Sequence, residues 1–246
     1  MRGIHRAPLE AAVLGLLFLA YKAVRLAVAG RVEAAFDNAH RVLGLERTMH
    51  LAIEHGLQKL VLHSTGLVVA LNRYYVSMHF MTMAVFLLWL FFAHRDHYPH
   101  VRRLLVASTA IALAIHALFP LAPPRMLPGF VDTMARYGPN AYASAQVRAL
   151  ANQHAAMPSV HFMWAMIVAY GVIVASTWRF RWIAIAHPVI TFVAIVATAN
   201  HYWLDAAVGG TLVVLVVTSD NKVVDLVRNL ARERSIDGVV AEPLPY

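Results

Sequence analysis

Six runs of apolar residues decide what this chain can become. They fall at 9–29, 71–93, 101–121, 158–177, 183–199 and 202–218. Most approach the roughly 20 residues a helix needs to cross a hydrocarbon core. A soluble fold has no use for so many long runs. Only 14% of residues are charged and the mean hydropathy is +0.59, whereas about a quarter of an ordinary soluble domain is charged. The pattern predicts an all-α, polytopic membrane protein with about six transmembrane helices.

The segments between the runs set the organisation. Residues 1–30 carry the first span. Ala27-Val28-Ala29 has the small residues of a signal-peptide cleavage site, but Lys22 and Arg25 lie between it and the apolar stretch, so the span is expected to be retained. Residues 31–66 mix Arg31, Glu33, Asp37, Glu46, Glu54 and Lys59 with Phe36, Val42, Leu45, Leu51 and Leu57. This reads as an amphipathic segment lying at the interface, the alternative being an ordinary surface connection. Residues 67–220 carry the remaining spans as one core. Within it, Pro123-Pro124 ends a helix and 122–157 forms a loop long enough to suggest function. Pro188 is a candidate kink in the fifth span. Residues 221–246 form a charged tail whose Glu242-Pro243-Leu244-Pro245 end is expected to be loose.

Charge supplies orientation. The net charge of +8 would suggest nucleic acid in a soluble protein. Here the basic residues flank spans and face anionic lipid, so the expected partner is the bilayer and not nucleic acid. Six spans put both termini on one side. Eleven Lys and Arg fall on the side of the termini and eight on the other, which favours cytoplasmic termini. The absence of cysteine removes disulfides, thiolate chemistry and cysteine metal sites. No glycine-rich phosphate loop occurs.

On this topology three polar segments share the outer face. They are Pro120-Leu121-Ala122-Pro123-Pro124-Arg125, Met157-Pro158-Ser159-Val160-His161 and Asn200-His201-Tyr202-Trp203-Leu204-Asp205. On a helix, His201 and Asp205 would share one face. The carboxylate could accept from one ring nitrogen and present the other as base or nucleophile; the alternative is a structural pair bracing the bundle. Pro158 suits a first helical turn, Ser159 can cap it, and the helix N-terminus attracts anions. Arg125 has the fork geometry that phosphate accepts, or it is an interfacial anchor. Together with His161, these groups make a coherent phosphoryl-transfer set.

The order and placement of these segments resemble the type 2 phosphatidic acid phosphatase superfamily, with its K-x6-R-P, P-S-G-H and S-R-x5-H-x3-D motifs. The resemblance covers roughly 70–220. It implies that His201 is the phosphate nucleophile, Asp205 its orienting partner and His161 the acid for the leaving oxygen, with Ser159 and Arg125 binding phosphate. The chain departs from the pattern at Leu118 for the Lys, Met126 for the Pro, Val160 for the Gly, and Ala194 and Ile195 for the Ser and Arg. Two cationic phosphate ligands are therefore replaced.

Asn200-His201-Tyr202-x-x-Asp205, Ala122-Pro123-Pro124-Arg125, and Tyr75 with His79 resemble the inositol phosphorylceramide synthase branch and its bacterial relatives. That likeness implies a metal-independent, cofactor-free lipid phosphotransferase working through a phosphohistidine. It would sit in a bacterial plasma membrane with its site on the extracytoplasmic side and take phospholipid or lipid-phosphate substrates. Tyr75, His79 and Asn200 are counted with the substrate-binding residues. Arg73, with Lys22 and Arg25 as lesser candidates, is the expected replacement for the missing cations, unless these side chains snorkel to headgroups. A lipid phosphate phosphatase is the alternative enzyme. A haem protein would need facing histidine pairs within the bilayer, and a lipid-binding or transport protein would lack the chemistry altogether.

Overall fold

The structure, a computed structural model, describes residues 7–140 and 152–240. The candidate signals in Arg2, Arg6 and Glu242-Pro243-Leu244-Pro245, and the 141–151 part of the long loop, lie outside the described residues. The described chain is helical: α1 (Ala7–Val28), α2 (Val32–Thr48), α3 (Glu54–Leu62), α4 (Thr65–Arg73), α5 (His79–Ala93), α6 (Tyr98–Leu118), α7 (Thr133–Tyr137), α8 (Val160–Ala175), α9 (Ala186–Ala197) and α10 (Trp203–Val240). A π-helical turn, Tyr74–Met78, joins α4 to α5, and 3-10 turns occupy Pro124–Met126 and Arg181–Ile185.

Among the described residues three helical stretches are long and apolar enough to cross a membrane: Thr65–Ala93, Tyr98–Leu118 and Trp203–Lys222. Val160–Ala175 and Arg181–Ala197 are shorter apolar helices. The expected first span coincides with α1, which packs against α6 but is not one of those three. The second span starts earlier than its hydropathy suggested, because Ser64 caps α4 by accepting the Leu67 N–H at 3.3 Å. The boundary drawn at residues 66 and 67 therefore falls inside a helix. Pro188 lies in the first turn of α9, where a proline is compatible with a straight helix. The tail beyond residue 220 continues α10 to Val240.

Local signals explain most helix ends. Proline opens α6 within its first turn. Its last residue is Leu118, and Phe119 leaves the helical conformation, with φ −129° and ψ 76°, ahead of Pro120, since the α region is disfavoured before proline. Asp132 caps α7 by accepting from the Ala135 N–H at 2.9 Å, and Ser159 caps α8.

The core between α5, α6, α8 and α10 is built from Phe86, Leu90, Leu105, Met163, Ile167 and Val213 with their neighbours. Phe80, Val85, Leu88 and Phe92 on α5, by contrast, are exposed. Large exposed apolar faces are unfavourable in water but not in lipid.

Residues 31–73 show the same inversion in sharper form. Leu45, Met49, Leu51, Ile53 and Leu60 are exposed, while Asn38, Glu46, Glu54, Gln58 and Asn72 are buried. The buried amides clasp the segment after α6. Asn38 donates to the Pro120 carbonyl at 2.9 Å. Gln58 donates to the Val131 carbonyl and accepts its N–H, both at 2.9 Å. Asn72 donates to the Thr133 and Gly138 carbonyls and accepts from the Thr133 hydroxyl at 2.8 Å. Buried polar groups must be paired, so these helices and the loop fix one another.

Two glycines permit the closest helix approaches. A side chain at Gly171 would collide with the Phe86 ring, and a Cβ at Gly209 on α10 would lie 2.9 Å from Met163 Cγ and 3.1 Å from the Ser159 carbonyl. Gly209→Val should therefore destabilise the protein by about 1–3 kcal/mol through overpacking, read as a lowered Tm. Gly44→Ala, where nothing lies within 4 Å, should leave Tm unchanged or raise it, since alanine favours a helix by about 1 kcal/mol over glycine. Equal Tm values for Gly209→Val and the parent protein would contradict this account of the α8–α10 contact.

Candidate active site

The site begins with how α9 stops. The Ala199 N–H donates to the Val196 carbonyl and the Asn200 N–H to the Ile195 carbonyl, both at 3.0 Å. That is the Schellman pattern, in which the helix ends on a residue of left-handed conformation. Glycine usually takes the position, but here it is Ala199, with φ +55°, at a cost on the order of 1 kcal/mol or more. Its carbonyl accepts the Arg125 backbone N–H at 2.8 Å, so the strained turn is bonded directly to the Pro-Pro-Arg segment. Tyr202, fully buried, secures the same contact by donating its hydroxyl to the Ala122 carbonyl at 3.1 Å. Burial and the nearby carboxylates raise the Tyr202 pKa and keep that donor protonated.

His201 follows this turn. It lies before the first residue of α10, not on the helix as the four-residue spacing suggested. The pair still forms, because Asp205 in the first turn reaches back. Asp205 Oδ2 is 3.1 Å from His201 Nδ1 and accepts the Tyr202 N–H at 2.9 Å. Nδ1 is also 2.9 Å from the Ala156 carbonyl. Both neighbours of Nδ1 are acceptors, so Nδ1 carries the proton and Nε2 presents a bare lone pair. Burial first, with Arg125 nearby, lowers the His201 pKa to about 3. The ring is therefore neutral at physiological pH.

Arg125 is buried at 7% exposure. Its Nη1 donates to Asn200 Oδ1 at 2.7 Å, and Asn200 Nδ2 donates to Thr198 Oγ1 at 2.7 Å. Arg125 Nε lies 3.8 Å from Asp132 Oδ2. Asn200 thus orients the guanidinium beside His201. Ser159 is held from two sides. Its N–H donates to the Asp205 carbonyl at 3.0 Å, and its Oγ accepts the Phe162 N–H at 3.4 Å. The amides opening α8 have no intrahelical acceptor, and they sit beside Asp205 and His201.

His161, in the first turn of α8, faces His201 with ring centroids 5.8 Å apart. Its ring is stacked on Tyr75 at 4.3 Å and tilted against His79 at 4.1 Å, and His79 stacks in turn on Trp164 at 4.6 Å. Both Tyr75 and the approach to His79 lie on the π turn, a distortion common at functional sites. A small cavity touches Tyr75, His79, His161, Ala194 and Ile195. The positions at which the family motif has Ser and Arg therefore border His161, and here they are apolar.

The structure brings together His201, Asp205, His161, Ser159, Arg125, Asn200, Tyr75 and His79. It places the other cations elsewhere. Arg73 is exposed, and no contact among the described residues ties it to this cluster. Lys22 is exposed with its ammonium 5.4 Å from the Phe18 ring, and Arg25 is half-buried on α1. Leu118, at the motif's Lys position, points outward with 78% exposure. Among the described residues no group of three or more His, Asp or Glu is placed to hold a metal ion.

Two site-adjacent histidines escaped the sequence reading. His116, buried on α6, meets the Pro158 carbonyl through Nε2 at 3.1 Å; an ionisable residue inside an apolar run is itself a signal. His154 lies close enough to Arg125 that the guanidinium, after burial, lowers its pKa; nothing in the loop sequence marks it. Glu46 and Glu54 also reach this region. Their place in an amphipathic stretch does not mark them as buried, yet both are 0% exposed.

Neither the curated proteins nor the solved structures contain a match to the chain. The family model of the PAP2 superfamily matches residues 40–219, which include every residue of the cluster. Its start at residue 40 takes in Glu46 and Glu54 and most of the amphipathic segment expected at the interface. With most of its length matched, the chain belongs to the PAP2 superfamily, whose members are phosphatases and whose type of activity is phosphoryl release or transfer from lipid phosphates.

Proposed function

We propose that the protein is a membrane-embedded phosphotransferase that acts on lipid phosphates or phospholipid headgroups through a phosphohistidine on His201, in the manner of an inositolphosphotransferase. The observation that carries this reading is the two acceptors at His201 Nδ1, which leave Nε2 unprotonated opposite His161. In the first step Nε2 attacks phosphorus and the bond from phosphorus to the leaving oxygen breaks. His161, entering the step as the imidazolium beside the bound phosphate, gives that oxygen a proton and is left neutral. The cationic phospho-imidazole keeps its Nδ1 proton, which Asp205 and the Ala156 carbonyl hold. Arg125 and the α8 amides bear the charge of the equatorial oxygens. In the second step an alcohol, or water, attacks phosphorus and the P–N bond breaks, with His161 taking the nucleophile's proton.

Positioned donors do the work that a metal ion does in other phosphoryl-transfer sites, so the reaction is read as metal-independent. The replaced family cations favour Tyr75, His79 and Asn200 as substrate-binding residues, and leave Arg73 a candidate only if it moves on binding. Six crossings, with α2 and α3 at the outer interface, would set the site on the extracytoplasmic side. The exposed Leu45, Leu51, Ile53 and Leu60 support an interfacial position for α2 and α3, and the excess of Lys and Arg on the side of the termini supports the outer side for the site. Hydrolysis is the second reading, favoured by family membership.

Purified protein given phosphatidate and phospholipid donors, with polyol, lipid and water acceptors, separates the two readings. Transfer to an alcohol in excess of hydrolysis is expected, and hydrolysis alone would leave a phosphatase. His201→Ala should abolish turnover in either case. Asp205→Asn should lower kcat by up to about 10⁴-fold, the scale seen when a histidine's orienting carboxylate is neutralised. Full activity in both variants would rule out this mechanism.

Arg125→Lys keeps the charge but loses the fork that Asn200 orients. Inhibition by vanadate, a phosphoryl-transfer mimic, should weaken by about tenfold, a change of about 1.4 kcal/mol. Unchanged vanadate inhibition would remove Arg125 from the phosphate site.

A further inference from the structure

Two carboxylates from outside the motif-bearing segments meet the reactive turn. Glu46 near the end of α2 and Glu54 at the start of α3 are both 0% exposed. Glu54 Oε1 accepts the Trp203 N–H at 2.9 Å and Glu46 Oε1 the Leu204 N–H at 3.3 Å. Asp205 Oδ2 accepts the Tyr202 N–H. Three successive amides at the start of α10 therefore each bind a different carboxylate. An uncapped helix start leaves such amides without partners, and three acceptors at one positive helix end are favoured by its dipole.

The arrangement is nevertheless costly. While ionised, Glu46 Oε2, Glu54 Oε2 and Asp205 Oδ1 are buried with no donor to accept from, and carboxylates crowded in a dry interior repel one another; a proton on Glu46 can be shared with the neighbouring Glu54 carboxyl. A fold would retain such a cluster only where it is needed. Asp205 is needed for His201. Glu46 and Glu54 touch neither His201 nor His161, yet they hold the two residues between His201 and Asp205 that follow Tyr202.

We propose that Glu46 and Glu54 are positioning residues that clamp the Trp203 and Leu204 amides so that Asp205 reaches back to His201, with Glu46 acting as a neutral carboxylic acid. The catalytic part of this proposal rests on the phosphohistidine reading above; the clamp itself does not. The groups facing Glu46 are Glu54 from α3, and Asp205 and the Tyr202 phenol from the start of α10. No cation faces it among these. Burial, then Glu54, raises the Glu46 pKa to about 9. The neutral acid therefore predominates at pH 7, and it ionises as pH rises through about 9. A protonated Glu46 accepts the Leu204 N–H through its carbonyl oxygen and spares the cluster a further negative charge. A glutamine amide can do the same, whereas alanine cannot.

The test uses the full chain in nanodiscs and two readouts. Hydrogen–deuterium exchange of the amides of Tyr202, Trp203 and Leu204 reports the clamp whether or not any substrate is turned over. Glu46→Ala and Glu54→Ala should each speed exchange there by at least about tenfold, and Glu46→Gln should restore protection. Turnover of phosphatidate supplied to the same nanodiscs should show kcat lowered at least about tenfold in the alanine variants, with KM within about threefold and with recovery in Glu46→Gln. The wild-type rate should also fall as pH passes about 9, and this alkaline limb should be absent from Glu46→Gln. If Glu46→Ala fails to fold, the Glu46→Gln pH profile and Glu54→Ala exchange decide. Wild-type protection of the three amides in the alanine variants overturns the clamp. An alkaline limb identical in wild type and Glu46→Gln overturns the neutral-acid role. Protected amides in a wild-type protein that turns over no phosphate ester would leave the clamp standing and defeat the phosphohistidine reading.

Discussion

The hydrogen bond between His201 Nδ1 and Asp205 is the interaction on which the remaining arrangement depends. It requires a helix to start two residues after a histidine and to send a carboxylate backwards across its own first turn. The structure meets that demand from every side. A strained Ala199 ends α9, the Arg125 backbone and the Tyr202 phenol tie the turn to the Pro-Pro-Arg segment, and Ser159 donates its N–H to the Asp205 carbonyl. Two of these bonds reach the Pro-Pro-Arg segment and one reaches the start of α8. His201 is thus held by contacts from several elements rather than by one helix face.

The polar interior and the apolar exterior have a single cause. In lipid an outward leucine is unpenalised, and a buried amide must find a partner inside the protein. Residues 31–73 obey this rule with Asn38, Gln58 and Asn72 pinning the loop after α6, and Glu46 and Glu54 at the start of α10. The burial of Glu46 and Glu54 shows how far the chain departs from the usual exclusion of acidic residues from the interior. Such groups are tolerated where donors meet them, and here the donors are the otherwise unpaired amides of a helix N-terminus.

Much of this was legible in the sequence, for physical reasons. Long apolar runs identify helices in lipid, prolines mark their ends, and the family's spacing locates His161, Arg125, His201 and Asp205. The four-residue spacing of His201 and Asp205 was correct as a pairing but not as a helix face, because the histidine precedes the helix. Glu46 and Glu54 were not legible. An amphipathic pattern says that one face is polar, not which face is inside, and in a membrane protein the usual assignment reverses. His154 was equally hidden, since its place beside Arg125 depends on how a loop closes. The replacement of the family's cations is visible in the sequence, but only the fold shows that Leu118 points outward and that Ile195 lies beside His161, Tyr75 and His79.

The covalent chemistry proposed at His201 Nε2 can be observed directly. Protein mixed with a phosphorus-labelled lipid phosphate and quenched in alkali, where phosphohistidine survives, should carry one acid-labile phosphoryl group. Peptide mapping should place it on His201, and ³¹P NMR should show the phosphorus on Nε2. A phosphoryl group on another residue, on Nδ1 of His201, or absent from a protein that is turning over substrate, would contradict the account.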